Sequence, residues 1–331
     1  MSPAEFSQYL MMIVMSWLTP SGDLYDAACI GTNLIFREYH QAICPVKKPW
    51  SVIQQELDYE LYYPGTTDNG KRYPLIILFH GASGAHSQSM DKRRHYFLQQ
   101  GYAVMVPDSF SHNRVMESVS KHSGSLYAPE AMSGEAAFAD QPQLESVFER
   151  FSDKVSQGMA MLPAVRAADV LVSLEFALSK SHIDPDNIHL VGYSHGASAI
   201  LEAGVLSALG KTIPGAEDTA DLGLFEKVKS ASLYYPSCRP GNYYPWHGRW
   251  PVVPAFMLLA SEDELCRPAL CQKANRQANS FFPEPLIEET IFRHKHNFDM
   301  PEYPENYAPD DEVRAREQVL GFIRRHSSGW Y

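Results

Sequence analysis

The chain has 331 residues, of which 45% are hydrophobic and 20% charged, and its formal net charge is −11. A chain of this length can bury a large core, and α/β folds of this size often form one domain. The acidic balance argues against a nucleic-acid partner, because phosphate binding needs clustered Lys and Arg.

The N-terminal segment contains an apolar stretch at residues 9–18, which is too short to span a bilayer as a helix. The stretch has the length of a signal-peptide core, but residues 1–8 contain Glu5 and no Lys or Arg. Two interpretations stay open, an amphipathic helix packed on the body or a secretion signal. We therefore divide the chain into an N-terminal segment, residues 1–48, and a single domain, residues 49–331, and we expect no stable membrane span.

Apolar runs typical of strands alternate with helical runs along the rest of the chain. Continuous apolar runs such as 73–79 predict parallel strands that are buried on both faces of a sheet. The predicted strands are 52–63, 73–79, 102–106, 187–191, 231–235, 252–260 and 286–292, and the predicted helices are 163–180, 197–209, 268–281 and 311–326. This order predicts an α/β fold, with a doubly wound, mostly parallel sheet flanked by helices.

A segment of mixed composition, residues 111–158, interrupts this alternation. We interpret it as an insertion of short helices and loops that lies over the sheet. In doubly wound sheets the chemistry gathers at the carboxyl ends of the strands.

The most informative motif is Gly192-Tyr193-Ser194-His195-Gly196, a G-x-S-x-G sequence between a predicted strand and a predicted helix. This context is typical of a nucleophile elbow, in which the serine lies on a sharp strand-to-helix turn. The alternative is a chance match in a glycine-containing loop. The pattern predicts Ser194 as a nucleophile.

A serine of this kind needs a base and an acid that orients the base, and in this architecture they follow in the order Ser, Asp or Glu, His. The acid is expected in the loop after strand 252–260, where we choose Asp263 over its neighbours Glu262 and Glu264. The base is expected after the last strand, where we choose His296 over His294.

The oxyanion of such a reaction is bound by backbone amides. One predicted donor is the amide of His195, directly after the nucleophile, and the other is Ala82 in the loop 80–84 after a buried strand. The histidines do not fall into H-E-x-x-H or a comparable metal-binding spacing, so we expect no catalytic metal. An acyl transfer of this kind requires no cofactor, so we expect none.

Taken together, these residues resemble the dienelactone hydrolase family of α/β-hydrolases over residues 73–325. The resemblance rests on 80–84, 101–110, 166–169, 191–197, 234–238, Asp263 and 296–299. It implies an α/β-hydrolase fold and a triad of Ser194, Asp263 and His296. The family's namesake uses a cysteine nucleophile where this chain has serine, so dienelactone itself is not implied. The segment 111–158 has no counterpart in the family.

Some secreted-looking members of that family carry cysteines at the positions of Cys238 and Cys271, so the resemblance implies a disulfide between these two. Cys29 and Cys44 could pair with each other, which would leave Cys266 as a thiol. The alternative is that the cysteines are reduced and buried. A disulfide would favour a periplasmic or secreted protein, and its absence a cytoplasmic one.

The expected function is a serine hydrolase that cleaves a small-molecule carboxylic ester or lactone. Two alternatives stay open: a peptidase or acylaminoacyl hydrolase of the same fold, and a non-catalytic binding protein that kept the fold. The sequence indicates neither the acyl and alcohol groups of the substrate nor the oligomeric state.

Overall fold

A seven-stranded sheet organises the part of the chain that the structure describes. The structure is a computed structural model, and it describes residues 48–67, 70–109, 163–213, 215–217, 221–238 and 242–329. Almost all of the N-terminal segment 1–48 lies outside the described residues, as do the insertion 111–158 and the cysteines Cys29 and Cys44.

The strands are β1 Asp58–Tyr62, β2 Tyr73–Phe79, β3 Ala103–Asp108, β4 Ile183–Tyr193, β5 Val228–Tyr234, β6 Ala255–Ala260 and β7 Ile287–Phe292. They lie in the order β1-β3-β2-β4-β5-β6-β7. Strand β1 runs antiparallel to β3, and all other neighbouring strands are parallel. The helices are α1 Trp50–Glu56, α2 Gln88–Gln99, α3 Pro163–Leu178, α4 His195–Leu209, α5 Tyr243–His247, α6 Pro268–Asn279 and α7 Pro309–Arg325, with a 3₁₀ turn at Leu222–Lys227.

The central strands are covered on both faces. Every residue of β2 and β6 is buried, which requires helices on each side of the sheet. Met90 and Phe97 of α2 share one core with Val319 and Phe322 of α7. On β4 the helices α3 and α4 pack against the strand and against each other. The predicted doubly wound, mostly parallel α/β architecture is therefore confirmed, and it is that of an α/β-hydrolase.

The prediction of one strand over residues 52–63 is wrong in its first half. The structure has helix α1 there, followed by the shorter strand β1. Trp50 and Ile53 are the buried residues of α1, and their spacing of three fits a helix face. The Trp50 indole also donates to the Glu175 carboxylate on α3, at 3.0 Å, which attaches α1 to the body.

Helix α2 was not anticipated from the sequence. Its twelve residues are mostly polar, and Ser89, Met90, Arg93 and Phe97 are the buried ones. Because only two of these are large apolar side chains, the periodicity is weak. Among the described helices, none is both long and apolar enough to cross a bilayer.

Candidate active site

Ser194 lies at the sharp turn between strand β4 and helix α4. Its backbone has φ 50° and ψ −113°, a conformation that side-chain-bearing residues rarely adopt. Such a backbone costs on the order of 1–3 kcal/mol and persists only where the surrounding structure holds it. Here the Ser194 amide donates to the Tyr234 carbonyl at 2.9 Å, and the Ser194 carbonyl accepts from the Ser198 amide at 3.0 Å.

The two glycines of the motif are required by close backbone contacts. A Cβ on Gly192 would lie 2.7 Å from the backbone nitrogen of Ala197, and a Cβ on Gly196 would lie 2.4 Å from the Phe79 carbonyl oxygen. Both distances are shorter than any real carbon contact, so a side chain at either position would push β4, α4 and β2 apart. The glycines therefore let the turn close tightly around the serine.

A chain of hydrogen bonds joins the three side chains that the sequence singled out. The Ser194 Oγ lies 2.9 Å from His296 Nε2, and His296 Nδ1 lies 2.6 Å from Asp263 Oδ2. Because a carboxylate only accepts, the proton of the imidazole is on Nδ1, and Nε2 is left to accept from the serine hydroxyl. The structure thus brings Ser194, His296 and Asp263 together, while their catalytic roles stay predictions.

The second carboxylate oxygen of Asp263 holds the acid in place. Asp263 Oδ1 accepts from the backbone amides of Leu265 at 2.9 Å and Cys266 at 2.7 Å. The side chain is buried, whereas its sequence neighbours Glu262 and Glu264 are exposed. The loop therefore directs one of its three carboxylates inward.

His294, the rival for the base, lies elsewhere. Its Nε2 is 2.6 Å from Asp311 Oδ2 in the first turn of α7, and its ring stacks on Phe298. It connects the loop after β7 to helix α7 and makes no described contact with Ser194.

The loop that carries His296 is attached to helix α2 at two points. Arg93 of α2 forms a buried ion pair with Asp299. Ser89, also on α2, donates both its amide and its hydroxyl to the carboxylate of Glu302. Both contacts involve residues that follow His296, and they hold this part of the loop against α2.

Tyr235 supports the imidazole directly. Its ring centroid is 4.5 Å from that of His296 in an edge-on arrangement, and its hydroxyl donates to Asp299 at 2.6 Å. Like Ser194, Tyr235 has a positive φ, 37°. Burial raises its pKa well above the usual value, so the hydroxyl stays a donor.

Sequence reasoning had not assigned a role to Tyr235, Asp299 or Arg93. Tyr235 and Asp299 lie within the stretches that carry the family resemblance, which was the one available signal. The position of Arg93 was not indicated by any motif.

The loop after β2 lies directly against the elbow. A Cβ on Gly81 would lie 3.4 Å from the Ser194 Cβ, and a turn closes the loop through the bond from the Gly84 amide to the Gly81 carbonyl, at 3.3 Å. Ala82 lies inside this turn. His195 is the first residue of α4, and the amides of a first helical turn together with the helix dipole favour negative charge. The oxyanion roles of Ala82 and His195 stay predictions.

Cys238 and Cys271 form a disulfide across 33 residues of sequence. It joins the loop after β5 to the first turns of α6, the helix that follows Asp263. Cys266 is buried and lies outside this pair.

One group of potential metal ligands occurs among the described residues. Asp263, Cys266 and His296 are all buried, and one ligand atom from each lies within 4.8 Å of the others. These are ligand types that zinc accepts. Asp263 and His296, however, are already hydrogen-bonded to each other, and an ion would have to separate them. The expectation of no metal stays a prediction.

Comparison with known proteins supplies the family. Residues 62–214 match the family model described as the dienelactone hydrolase family. This segment is less than half of the chain, and over it the sequence is similar to the dienelactone hydrolase family. The predicted resemblance is confirmed, and it supports a hydrolase function for this chain. No curated protein sequence matches the chain.

Solved structures share the fold at low identity. An esterase from Thermogutta terrifontis with propionate bound has a TM-score of 0.52 and 14% identity, over 86% of this chain and 95% of that one. A proposed dienelactone hydrolase from Klebsiella pneumoniae has a TM-score of 0.51 and 10% identity, over 81% and 98%. At such identities the likeness shows the fold alone.

Proposed function

We propose that this chain is a serine hydrolase that cleaves a carboxylic ester or lactone by acyl transfer to Ser194. The observation that carries the proposal is the unbroken hydrogen-bond chain from the Ser194 hydroxyl through His296 to Asp263. A serine hydroxyl is a weak nucleophile at neutral pH, and an adjacent general base activates it.

In the first half of the reaction, the Ser194 oxygen attacks the ester carbonyl carbon while His296 Nε2 takes the hydroxyl proton. Asp263 holds the Nδ1–H tautomer and offsets the charge of the imidazolium. The amides of His195 and Ala82 bind the oxyanion of the tetrahedral intermediate. The ester C–O bond then breaks, and His296 gives its proton to the departing alcohol.

In the second half, water attacks the acyl group on Ser194. His296 takes a proton from the water, the bond between the acyl carbon and the serine oxygen breaks, and the proton returns to Ser194. A carboxylic acid leaves. For a lactone, the alcohol and the acid are two ends of one product. The sequence of steps needs no cofactor.

The comparisons support an acyl group of short length as the first choice for testing. The Thermogutta terrifontis esterase that shares the fold carries propionate in one structure and butyrate in another, and it is phosphorylated by paraoxon in a third. Small acyl esters and organophosphorus probes are therefore the natural first reagents for this chain.

The proposal is tested with Ser194→Ala. We expect the wild-type chain to hydrolyse p-nitrophenyl acetate and butyrate and to react with a fluorophosphonate probe. The variant should lose both activities and keep its fold, because the substitution removes one oxygen atom and leaves the backbone in place. Turnover and probe incorporation are measured together with the circular dichroism spectrum.

Ser207→Ala is the matched control, since Ser207 lies on the same helix α4 but near its end. This variant should keep full turnover. Unchanged turnover in Ser194→Ala would show that Ser194 is not the nucleophile. If the wild type is active, a screen of esters of graded chain length and of lactones identifies its substrate class.

A further inference from the structure

A completely buried guanidinium lies beneath the elbow. Arg166 belongs to the first turn of α3, and its side chain has no exposed surface. Burial lowers the pKa of Arg166 to about 10, although the nearby carboxylates of Asp169 and Asp108 act to raise it. The guanidinium is therefore a cation at neutral pH. Burying a cation is costly unless its N–H groups are hydrogen-bonded, so its partners indicate what it does there.

One nitrogen of Arg166 connects the loop after β2 to the first residue of helix α4. Nη1 donates to the His80 carbonyl oxygen at 3.1 Å and lies 3.1 Å from His195 Nδ1. A guanidinium has no acceptor, so His195 Nδ1 must accept, and its proton is on Nε2. His80 ends the segment that enters the loop 81–84, and His195 directly follows Ser194.

The His80 ring extends this control to the next peptide. The Ser109 amide donates to His80 Nε2 at 3.2 Å, so the imidazole proton is on Nδ1, which donates to the Gly81 carbonyl at 2.7 Å. Burial lowers the pKa of His80 well below its usual value and keeps this neutral tautomer. The Gly81 carbonyl and the Ala82 amide belong to one planar trans peptide, so fixing the carbonyl also fixes the direction of the Ala82 N–H.

We propose that Arg166 is a positioning residue that sets the distance and direction between the two oxyanion donors, the amides of His195 and Ala82. It acts through the His80 carbonyl and the His195 imidazole and does not touch the substrate. The inference rests on the proposed function, because it gives Arg166 a role in that same acyl transfer.

The effect belongs to the transition state. Oxyanion donors must lie about 2.7–3.1 Å from the developing charge, and losing one donor costs a factor of about 10²–10³ in kcat. Without Arg166 both amides remain, but the groups next to them, the His80 carbonyl and the His195 side chain, lose their shared anchor. Ground-state binding of an ester should change little, because the ester oxygen carries no full charge before attack.

The test compares the wild-type chain with Arg166→Met and Arg166→Lys, using p-nitrophenyl butyrate. Active sites are counted by fluorophosphonate titration, so that loss of folded protein does not count as loss of kcat. We expect kcat per titrated site to fall by about 10²-fold in Arg166→Met while KM stays within about threefold. Arg166→Lys keeps a buried N–H donor and should recover part of the rate.

A second readout separates this role from a purely structural one. The Ser194 oxygen adds to the carbonyl carbon of a trifluoromethyl ketone, its proton passes to His296, and the ketone oxygen becomes an oxyanion. The affinity for this ketone should fall in Arg166→Met by the same factor as kcat. The affinity for the matched methyl ketone, which binds without forming an oxyanion, should not change.

Ser173→Ala is the control on the same helix, because the buried Ser173 hydroxyl donates to the Asp169 carbonyl within α3. It should leave both ketone affinities and kcat unchanged. If the wild type is active and Arg166→Met binds the trifluoromethyl ketone as tightly as the wild type does, the inference is wrong and the proposed function stands. The same holds if both Arg166 variants lose only titrated sites and keep the wild-type kcat per site. An inert wild type overturns the proposed function and this inference together.

Discussion

At the scale of single residues, the two carboxylate oxygens of Asp263 have different hydrogen-bond partners. Oδ1 accepts two backbone amides, and Oδ2 accepts the His296 Nδ1–H. The two amides hold the carboxylate in place, and because a carboxylate only accepts, His296 carries its proton on Nδ1, which leaves Nε2 open toward Ser194. The position of the Asp263 carboxylate thus depends on the backbone amides of its own loop.

Asp263→Asn should lower kcat by about 10³–10⁴-fold while the chain stays folded. The asparagine oxygen would keep the two backbone amides, so its NH₂ group would face His296. Nδ1 would then have to accept, the proton would move to Nε2, and the base could no longer take the proton of Ser194. Steady-state kinetics on p-nitrophenyl butyrate measure the loss.

Glu262→Gln is the control, because Glu262 precedes Asp263 in the loop but is exposed and faces Arg293 at 3.6 Å. It should keep the wild-type kcat. A greater loss in Glu262→Gln than in Asp263→Asn would show that the wrong acid had been chosen.

The sequence predicted the residues whose evidence is local and not those whose evidence is distant. Ser194 follows from its own motif, and the choices of Asp263 and His296 follow from their position after predicted strands. Arg93 and Asp299 are 206 residues apart, and neither has a neighbour that indicates the other. Such pairs depend on the packing of α2 against the loop after β7, which no periodicity contains.

At the scale of elements, strands were easier to predict than helices. The seven residues of β2 are apolar and all buried, so composition alone marks them. The few apolar residues of helix α1 also fit the alternation of a strand, and the apolar pattern of α2 is interrupted because an arginine occupies part of its buried face. Where a helix buries polar groups, the hydrophobic pattern loses its period.

Two glycines in helix interiors give a matched test of packing. A Cβ on Gly204 of α4 would lie 2.5 Å from the ring of Trp250, which is itself buried and hydrogen-bonded to the Val253 carbonyl. A Cβ on Gly321 of α7 would meet no atom within 4 Å. Both replacements by alanine gain the same helix propensity, so the difference between them reports the contact with Trp250.

We expect Gly321→Ala to raise the free energy of unfolding by about 0.5–1 kcal/mol. Gly204→Ala should lower it by about 1–3 kcal/mol, because overpacking outweighs the propensity gain. Urea unfolding followed by tryptophan fluorescence measures both. Equal shifts of the same sign would mean that Trp250 can move aside.

At the scale of the whole molecule, two buried groups have opposite effects on the stability of the chain as the pH falls. Burial lowers the pKa of His189 to about 3, with His326 and Lys229 adding to the effect. Burial raises the pKa of Glu202 to about 7, although the amides of Tyr244 and Tyr243 oppose the shift. Between these two pKa values, the folded chain keeps His189 unprotonated and Glu202 protonated.

The signs follow from which state binds the proton. Below about pH 6.5 the unfolded chain protonates His189 and the folded chain does not, so stability falls as the pH falls toward 3. Between about pH 4.5 and 7 the folded chain protonates Glu202 and the unfolded chain does not, so stability falls as the pH rises. The two effects cancel in part between about pH 4.5 and 6.5.

Glu202→Gln should therefore make the stability of the chain fall more steeply on acidification. The difference in unfolding free energy between variant and wild type should change by about 1.4 kcal/mol per pH unit between pH 4.5 and 7. His189→Gln should show the opposite slope between about pH 3 and 6.5. Urea titrations at several pH values test this, and curves parallel to the wild type would contradict it.

The backbone of Ser194 has a consequence for the history of the chain. Glycine adopts a positive φ without a Cβ penalty, so it would be the more stable residue at that corner. Selection for stability alone would favour glycine there. Under the proposed function, a lineage that no longer needs the Ser194 nucleophile should drift toward glycine, and every sequence that keeps the hydroxyl has a less stable fold than its glycine variant.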